Sequence, residues 1–578
     1  MTPPPWAPTE RRALALALGF TVVFGLLGTI GGFFGDDWWH RLILTGARPD
    51  LDPRALFDFA SGEPDHMRAR MARGPWPWWA EPHVKLRMWR PLASRLAMAE
   101  WAWFGTNGFA WHAVQTLFAA SFVAVAGLLY RRVLPGATGA LALVLFAVAG
   151  SHWMPTLWLA NQNAVMAGAP MLLGLWLHLR WREDGLRAAV PLSMACYALG
   201  LASGEAAIGG FGFVGAYELF GRRGPLSSRV AALLPGILVG AVWAGLYVAG
   251  DHGCRANGVY LDPISQSGDW LIALPGRLLA LIGGMTLATP VDLWLFVPAV
   301  RSLLVGAGLV GLAGGGFLLA RAPLEDEHRR ALRWLLPGAV FAMLPVTATF
   351  PLVRLLLLPS LGGAALLSCS ILALWQQREG WVARGLLVLH GPLQVLTWCL
   401  GIAFMWVVGT GAWEAARTAE VPDDASEHRV VVLAAGDPWV ALYGPWLREL
   451  EGAPRPAAWW VLTMVPHDTR WERIDGHTLA FEADGALVDT VFERLVRGRP
   501  LEAGEVFEVA GADGGPGYSV ELREASSKRT RGVVRFDVPV DDPAFVFVAW
   551  GSGRLRRVAL PSLGEVLEIP HEPGPARL

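Results

Sequence analysis

Long apolar runs, closed by arginine, glycine or tryptophan, dominate the chain up to about residue 410. The first extends from Ala13 to Phe34, long enough to cross a bilayer as a helix. It follows Arg11 and Arg12 and leaves through Gly35-Asp36-Asp37-Trp38, not through a small-residue cleavage site, so it reads as a retained anchor. Further spans are predicted at about 111–130, 136–152, 163–180, 187–203, 205–221, 230–250, 296–320, 333–349, 354–376 and 385–410, which makes about 11 crossings. The two runs at 187–221 are short and read as a hairpin with Ser203-Gly204-Glu205 at its tip. The segment Trp270–Leu287, interrupted by Pro275, Arg277 and a Gly-Gly pair, fits either a crossing or an amphipathic helix lying in the interface.

Arginine placement chooses between these topologies. With the N-terminus inside and 270–287 not crossing, the inner loops hold Arg131-Arg132, the group Arg180, Arg182 and Arg187, then Arg222, Arg223 and Arg229. They also hold Arg321, Arg329, Arg330 and Arg333, and finally Arg378 and Arg384. That is the positive-inside bias. The prediction is therefore a cytoplasmic N-terminus, with the loop 35–110, the turn 151–162, the Glu205 tip, the loop 251–269, the turn 350–354 and the whole C-terminal part outside.

After Trp413 the pattern changes. Residues 414–427 are polar and acidic and read as a linker. From His428, short alternating runs predict strands at 428–433, 458–463, 478–482, 505–510, 518–523, 532–538 and 545–550, with a helical pattern at 439–450. The predicted architecture is an α-helical polytopic membrane domain over 1–413 and a β-rich α+β soluble domain over 428–578. Asp437, in Gly436-Asp437-Pro438 behind the first strand, reads as a turn residue, because no glycine-rich phosphate fingerprint accompanies it.

Composition narrows the function. Apolar residues make up 53% of the chain and charged residues only 17%, so the lipid bilayer is one partner. A net charge of −1 gives no field for nucleic acid. The 4 cysteines lie far apart without metal-ligand spacing, and no tight Asp-x-Asp cluster occurs, so no cofactor is expected and a divalent metal is not favoured. Much of the tryptophan flanks the apolar runs, as interfacial anchors do. Arginine-heavy, lysine-poor usage is compatible with a GC-rich bacterium, which makes the predicted setting an inner membrane with a periplasmic C-terminal domain.

The ionisable groups of interest gather on the predicted outer face. Asp36 and Asp37 stand where the first span ends; one of them is a candidate general base, and an acidic surface turn is the plainer reading. Arg90 precedes Pro91 at a helix start, where freed N–H groups suit an anion, although an interfacial arginine also snorkels to lipid. His152 begins a turn rich in tryptophan and amide side chains, the usual dress of a wet interface. Glu205 has no basic residue near it in sequence and fits either a polar cavity or a solvated tip. Arg354 opens the tenth span, to bind a phosphate or to snorkel.

Taken in order, four motifs resemble the GT-C superfamily of membrane glycosyltransferases, in particular bacterial relatives of the TPR-containing O-mannosyltransferases. They are the acidic pair Asp36-Asp37, the stretch Trp89-Arg90-Pro91-Leu92 with Trp103-Phe104-Gly105-Thr106-Asn107, the hairpin Ser203-Gly204-Glu205, and Arg354 through Pro359-Ser360. The chain departs from that branch where His152-Trp153-Met154 and Gln162-Asn163-Ala164 stand in place of more charged groups, where Gly204 replaces a lysine, and where leucines follow Arg354. TPR repeats are absent. The resemblance implies inverting sugar transfer from a polyprenyl-phosphate donor to a protein or glycan acceptor. Asp36 or Asp37 would act as base, Arg90 and Arg354 as phosphate contacts, and His152 and Glu205 as pocket residues. Two other classes compete: a non-catalytic scaffold of this fold with an outer interaction domain, and a lipid or solute transporter. Transporters tend to carry internal repeats and midplane charges, neither of which the sequence shows.

Overall fold

The computed structural model describes residue 4 and residues 6–321, 324–377 and 379–576; Arg378 of the inner-loop arginines lies outside the described residues. The chain divides into two compact units. One comprises residues 1–32, 88–252 and 261–404, the other 33–87, 253–260 and 405–578.

The first unit is helical, and every predicted apolar run coincides with helix. Among the described residues, five helices are long and apolar enough to cross a membrane, or six if the bent pair Ala137–Val148 and Gly150–Leu157 is one span. The remaining predicted crossings are shorter apolar helices, such as Ala189–Ser203, Leu234–Ala249 and Ser360–Gln376, or carry several polar residues, as Gln162–Asp184 does. Leucines and isoleucines on Leu234–Ala249, among them Leu234, Ile237, Leu238 and Leu246, are exposed, as side chains facing lipid would be. Phe122, Phe146, Leu172, Phe213 and Ala365 fill the buried core.

The ambiguous segment forms one continuous helix, Ser267–Leu287, among the five of membrane length. It packs closely on Arg301–Arg321. A Cβ on Gly308 would stand 2.0 Å from the Leu279 carbonyl oxygen, and one on Gly311 2.0 Å from Thr286 Oγ1. Small residues that let helix backbones meet are a membrane packing device. The Gly283-Gly284 pair that interrupts the apolar run is a contact point too, since a Cβ on Gly283 would stand 3.0 Å from the Gly308 backbone nitrogen.

The inner-loop arginines at 131–132, 180–187 and 222–229 share one end of this unit. Arg132 pairs with Glu183 at 2.8 Å and Asp184 at 2.6 Å, and Arg182 with the buried Glu218 at 2.7 Å. Glu218 also takes His178 at 2.9 Å, and the Arg229 guanidinium caps its carbonyl.

The second unit is built on sheets. A six-stranded antiparallel sheet has the order Val566–Ile569, Thr469–Arg473, Thr478–Ala483, Thr530–Phe536, Tyr518–Ala525, Val506–Val509. A four-stranded sheet has the order Arg554–Arg557, Phe545–Gly551, Arg429–Ala434, Ala458–Val461, with the last three parallel. The seven predicted strands are present. The three missed, Thr469–Arg473, Arg554–Arg557 and Val566–Ile569, are short and arginine- or glutamate-bearing, so their alternation hides among charges.

This unit is larger than the predicted domain 428–578. Residues of the loop 35–110 complete its core: Trp78 donates its indole N–H to the Leu462 carbonyl (3.1 Å), Trp460 donates to Ala72 (2.8 Å), and Trp79 is fully buried. The buried Arg497 is held by Glu81 and Glu505. A small three-stranded sheet joins Asp58–Ser61, Lys85–Arg87 and Gly253–Arg255. Segments far apart in sequence share one core because the first loop carries the tryptophans that the C-terminal sheets need to bury.

Candidate functional site

In the first unit the chain breaks its helices where candidate residues lie. Ala189–Ser203 ends at Gly204, and Glu205 opens the 3₁₀ turn Glu205–Gly209. Arg90 stands immediately before the helix Pro91–Phe104, whose first residue is a proline suited to a helix start. Arg90 Nε donates to Glu205 Oε2 at 2.8 Å, and both side chains are about one-fifth exposed. A candidate phosphate contact and a candidate pocket residue are thus one ion pair. At Gly204 a Cβ would lie 2.9 Å from Asn163 Nδ2, so a side chain there would have to displace that amide.

Glu100 belongs to the same region, on the helix Pro91–Phe104 that Arg90 precedes. It is 1% exposed and accepts a hydrogen bond from Gln162 Nε2 at 3.0 Å. Burial pushes its carboxyl up to about 7, only partly offset by Gln162. Among the described residues, Glu100 Oε2, Asn163 Oδ1 and Glu205 Oε1 are buried oxygens with no hydrogen-bond partner. These acceptors border the turn between His152 and Asn163, which Gln115 pins by donating to the carbonyls of Pro155 (2.8 Å) and Trp158 (2.9 Å).

Arg354 lies in the 3₁₀ turn Val353–Leu356, its guanidinium 5.7 Å from the Trp158 ring centroid. Asp292, which gave no signal in the sequence, accepts the Val353 N–H at 3.3 Å. Burial raises its carboxyl, and the Arg354 charge works against that rise. His152 is buried and its Nε2 lies 3.0 Å from Ser360 Oγ. Ser360 donates to the Leu357 carbonyl at 2.7 Å, so its oxygen is left to accept from the histidine. A cavity of about 40 Å³, room for water, is lined by Ser151, Val353, Ser360, His390 and Gln394, among apolar neighbours.

The acidic pair belongs to the second unit. Asp36 and Asp37 form the first turn of the helix Asp36–Leu44, where the helix dipole favours negative charge. Asp37 is buried and its Oδ2 accepts the Phe34 N–H at 2.8 Å, closing the turn that enters the helix. Asp36 is half-buried, and its Oδ1 accepts the Tyr443 hydroxyl at 2.8 Å. Burial and then the Asp36 charge hold the Tyr443 phenol far above its ordinary value, so it remains a donor. The structure thus separates two carboxylates that the sequence leaves equivalent. Tyr443 was not foreseen, because it lies in a π-helical turn, Trp439–Tyr443, that only the folded unit defines. Among the described residues, no group of three or more His, Cys, Asp or Glu is placed to hold a metal ion.

No protein-family model matches the sequence, and no curated protein does. Among solved structures, the chain is similar to ArnT from Cupriavidus metallidurans bound to undecaprenyl phosphate, with 14% identity over 90% of this chain and 97% of that one, at a TM-score of 0.31. It is also similar to apo ArnT from the same organism, with 16% identity over 70% of this chain and 84% of that one, at a TM-score of 0.26. Likenesses this loose assign no residue a role.

Proposed function

We propose that the protein is a membrane glycosyltransferase of the GT-C kind, moving a sugar from a polyprenyl-phosphate donor to an acceptor hydroxyl at the outer face, with inversion. The observation that carries this reading is the Arg90–Glu205 pair: two motifs 115 positions apart meet at 2.8 Å at a helix break in an apolar bundle. His152 and Ser360, 208 positions apart, join two further segments in the same way. In this reading Arg354, backed by the Trp158 ring, contacts the donor phosphate, and Arg90 assists with its charge steered by Glu205. The motif order gives the acidic pair the role of base. Asp36 is the better candidate, since Asp37 is buried and spends an oxygen on the backbone. The acceptor O–H gives its proton to a general base while its oxygen attacks the anomeric carbon. The bond from that carbon to the phosphate oxygen breaks, and the electron pair leaves on the lipid phosphate.

The test is release of polyprenyl phosphate from a panel of polyprenyl-phosphate sugars by the protein in lipid nanodiscs. Turnover that falls by about 10²–10⁴-fold in Asp36→Asn, with donor binding retained, supports the assignment. Arg354→Ala should instead weaken donor binding. A second reading, a scaffold of the same fold without catalysis, draws on Gln162, Asn163 and Gly204 standing where the resembling branch is charged. Donor binding without turnover of any sugar would favour it, and absence of donor binding would overturn the first reading.

A further inference from the structure

The four-stranded sheet of the second unit contains a small parallel crevice that the proposed reaction does not use. Arg429–Ala434 runs parallel to Ala458–Val461 on one side and to Phe545–Gly551 on the other. The connection leaving Arg429–Ala434 passes through the turn Trp439–Tyr443 and the helix Gly444–Leu450 toward Ala458–Val461. The chain leaving Phe545–Gly551 turns the other way, into Arg554–Arg557. Between the carboxyl ends of two parallel strands whose connections diverge, α/β sheets open a crevice that takes ligands.

Here the chain's own C-terminal segment lies in it. Ala576 N–H donates to Asp437 Oδ2 at 2.9 Å, and the Trp550 indole donates to the Pro573 carbonyl at 3.2 Å. Ser552 N–H donates to Glu572 at 2.5 Å. Gly574 is buried so tightly that a Cβ would come within 2.2 Å of Asp437 Oδ2, so only glycine passes. Asp437 itself is 1% exposed, and its other oxygen caps the following turn by accepting the Val440 N–H at 3.0 Å. That turn ends at Tyr443, the partner of Asp36.

We propose that this crevice is a peptide-binding site whose ligand is the segment 571–576, and that its occupancy holds Asp36 in place through Asp437 and the turn Trp439–Tyr443. The recognition chemistry is a backbone N–H, presented beside a glycine, to a buried carboxylate. Removing the segment leaves Asp437 with one oxygen unserved at the floor of the crevice, so the carboxylate that caps the turn carrying Tyr443 is anchored from one side only. The site and its coupling follow from the geometry of the second unit alone. Only the consequence for sugar transfer rests on the function proposed above.

The experiment compares the full-length protein in nanodiscs with a truncation after Pro570 and with Ala576→Pro, which deletes a single N–H. Amide hydrogen exchange is read over residues 36–44 and 437–443. Both variants should exchange faster there, by about tenfold or more, the factor expected for one lost buried hydrogen bond. A synthetic peptide of residues 571–578 added to the truncated protein should bind saturably and restore protection, and Asp437→Asn should abolish that rescue. If the truncation misfolds, Ala576→Pro alone still decides. Unchanged exchange at 36–44 in Ala576→Pro, or no rescue by the peptide in a folded truncation, overturns the proposal. Since exchange is the readout, the outcome does not depend on whether any sugar is transferred.

Discussion

Arg90 and Glu205 form a 2.8 Å ion pair across 115 residues, between the start of one helix and the break after another. Each alone is a charge at the edge of an apolar bundle, and together they satisfy one another. Arg90→Ala and Glu205→Ala should each lower the melting temperature, and the double variant should lose less than the sum. A double-mutant cycle should return a coupling of about 1 kcal/mol, since both side chains are partly solvated. Strict additivity would mean the pair is not formed in the membrane.

Glu100 should make stability depend on pH. Its carboxyl rises from 4.5 to about 7 in the folded protein because burial disfavours the charge. A raised carboxyl stabilises the folded form fully below the unfolded value and loses that contribution as pH climbs through the folded one. Thermal stability should therefore fall between about pH 4.5 and 7, by an amount on the order of 3 kcal/mol at most, and then level off. Glu100→Gln should flatten that window. An unaltered pH profile in the variant would exclude Glu100 as the source.

Asp36 and Asp37 should respond differently to substitution. Asp37→Ala removes the acceptor for the Phe34 N–H inside a buried turn and should destabilise by about 1–3 kcal/mol. Asp36→Asn keeps a hydrogen-bond acceptor for Tyr443 and should leave the melting temperature nearly unchanged. Thermal melts of the two variants side by side check this directly.

Ser61, Ala256 and Asp423 belong to one compact unit. Reporter fusions at all three should therefore lie on the same side of the membrane, so the chain must cross an even number of times between each pair. A reporter at any one of them in the opposite compartment would show that the unit does not form in the cell.

The isolated segment 428–578 should not unfold cooperatively, because Met71, Trp78, Trp79 and Ala80 complete its core. In the full chain, Trp79→Ala should cost about 3–5 kcal/mol, the usual range for a buried tryptophan. Limited proteolysis of the excised segment checks the first expectation, and denaturant titration of the variant the second.

Hydropathy and arginine spacing by themselves determined that the first part is an apolar helical bundle, that the arginines at 131–132, 180–187 and 222–229 collect at one end, and that a strand-rich region follows. Those features are local, since a run of leucines or an alternating strand buries itself by its own periodicity. Motif order likewise brought Arg90, His152, Glu205 and Arg354 into view. Which groups touch was decided only by tertiary structure. Glu205 meets Arg90, His152 meets Ser360, and Asp36 meets Tyr443 across 407 residues, because helix breaks and a π turn aim side chains that sequence distance conceals. The Gly283-Gly284 pair reads as an interruption until Gly308 packs on it. The membership of residues 33–87 in the C-terminal unit is of the same kind: a tryptophan at 78 or 79 is an interfacial anchor by composition, and becomes core only when a sheet more than 300 positions away closes over it.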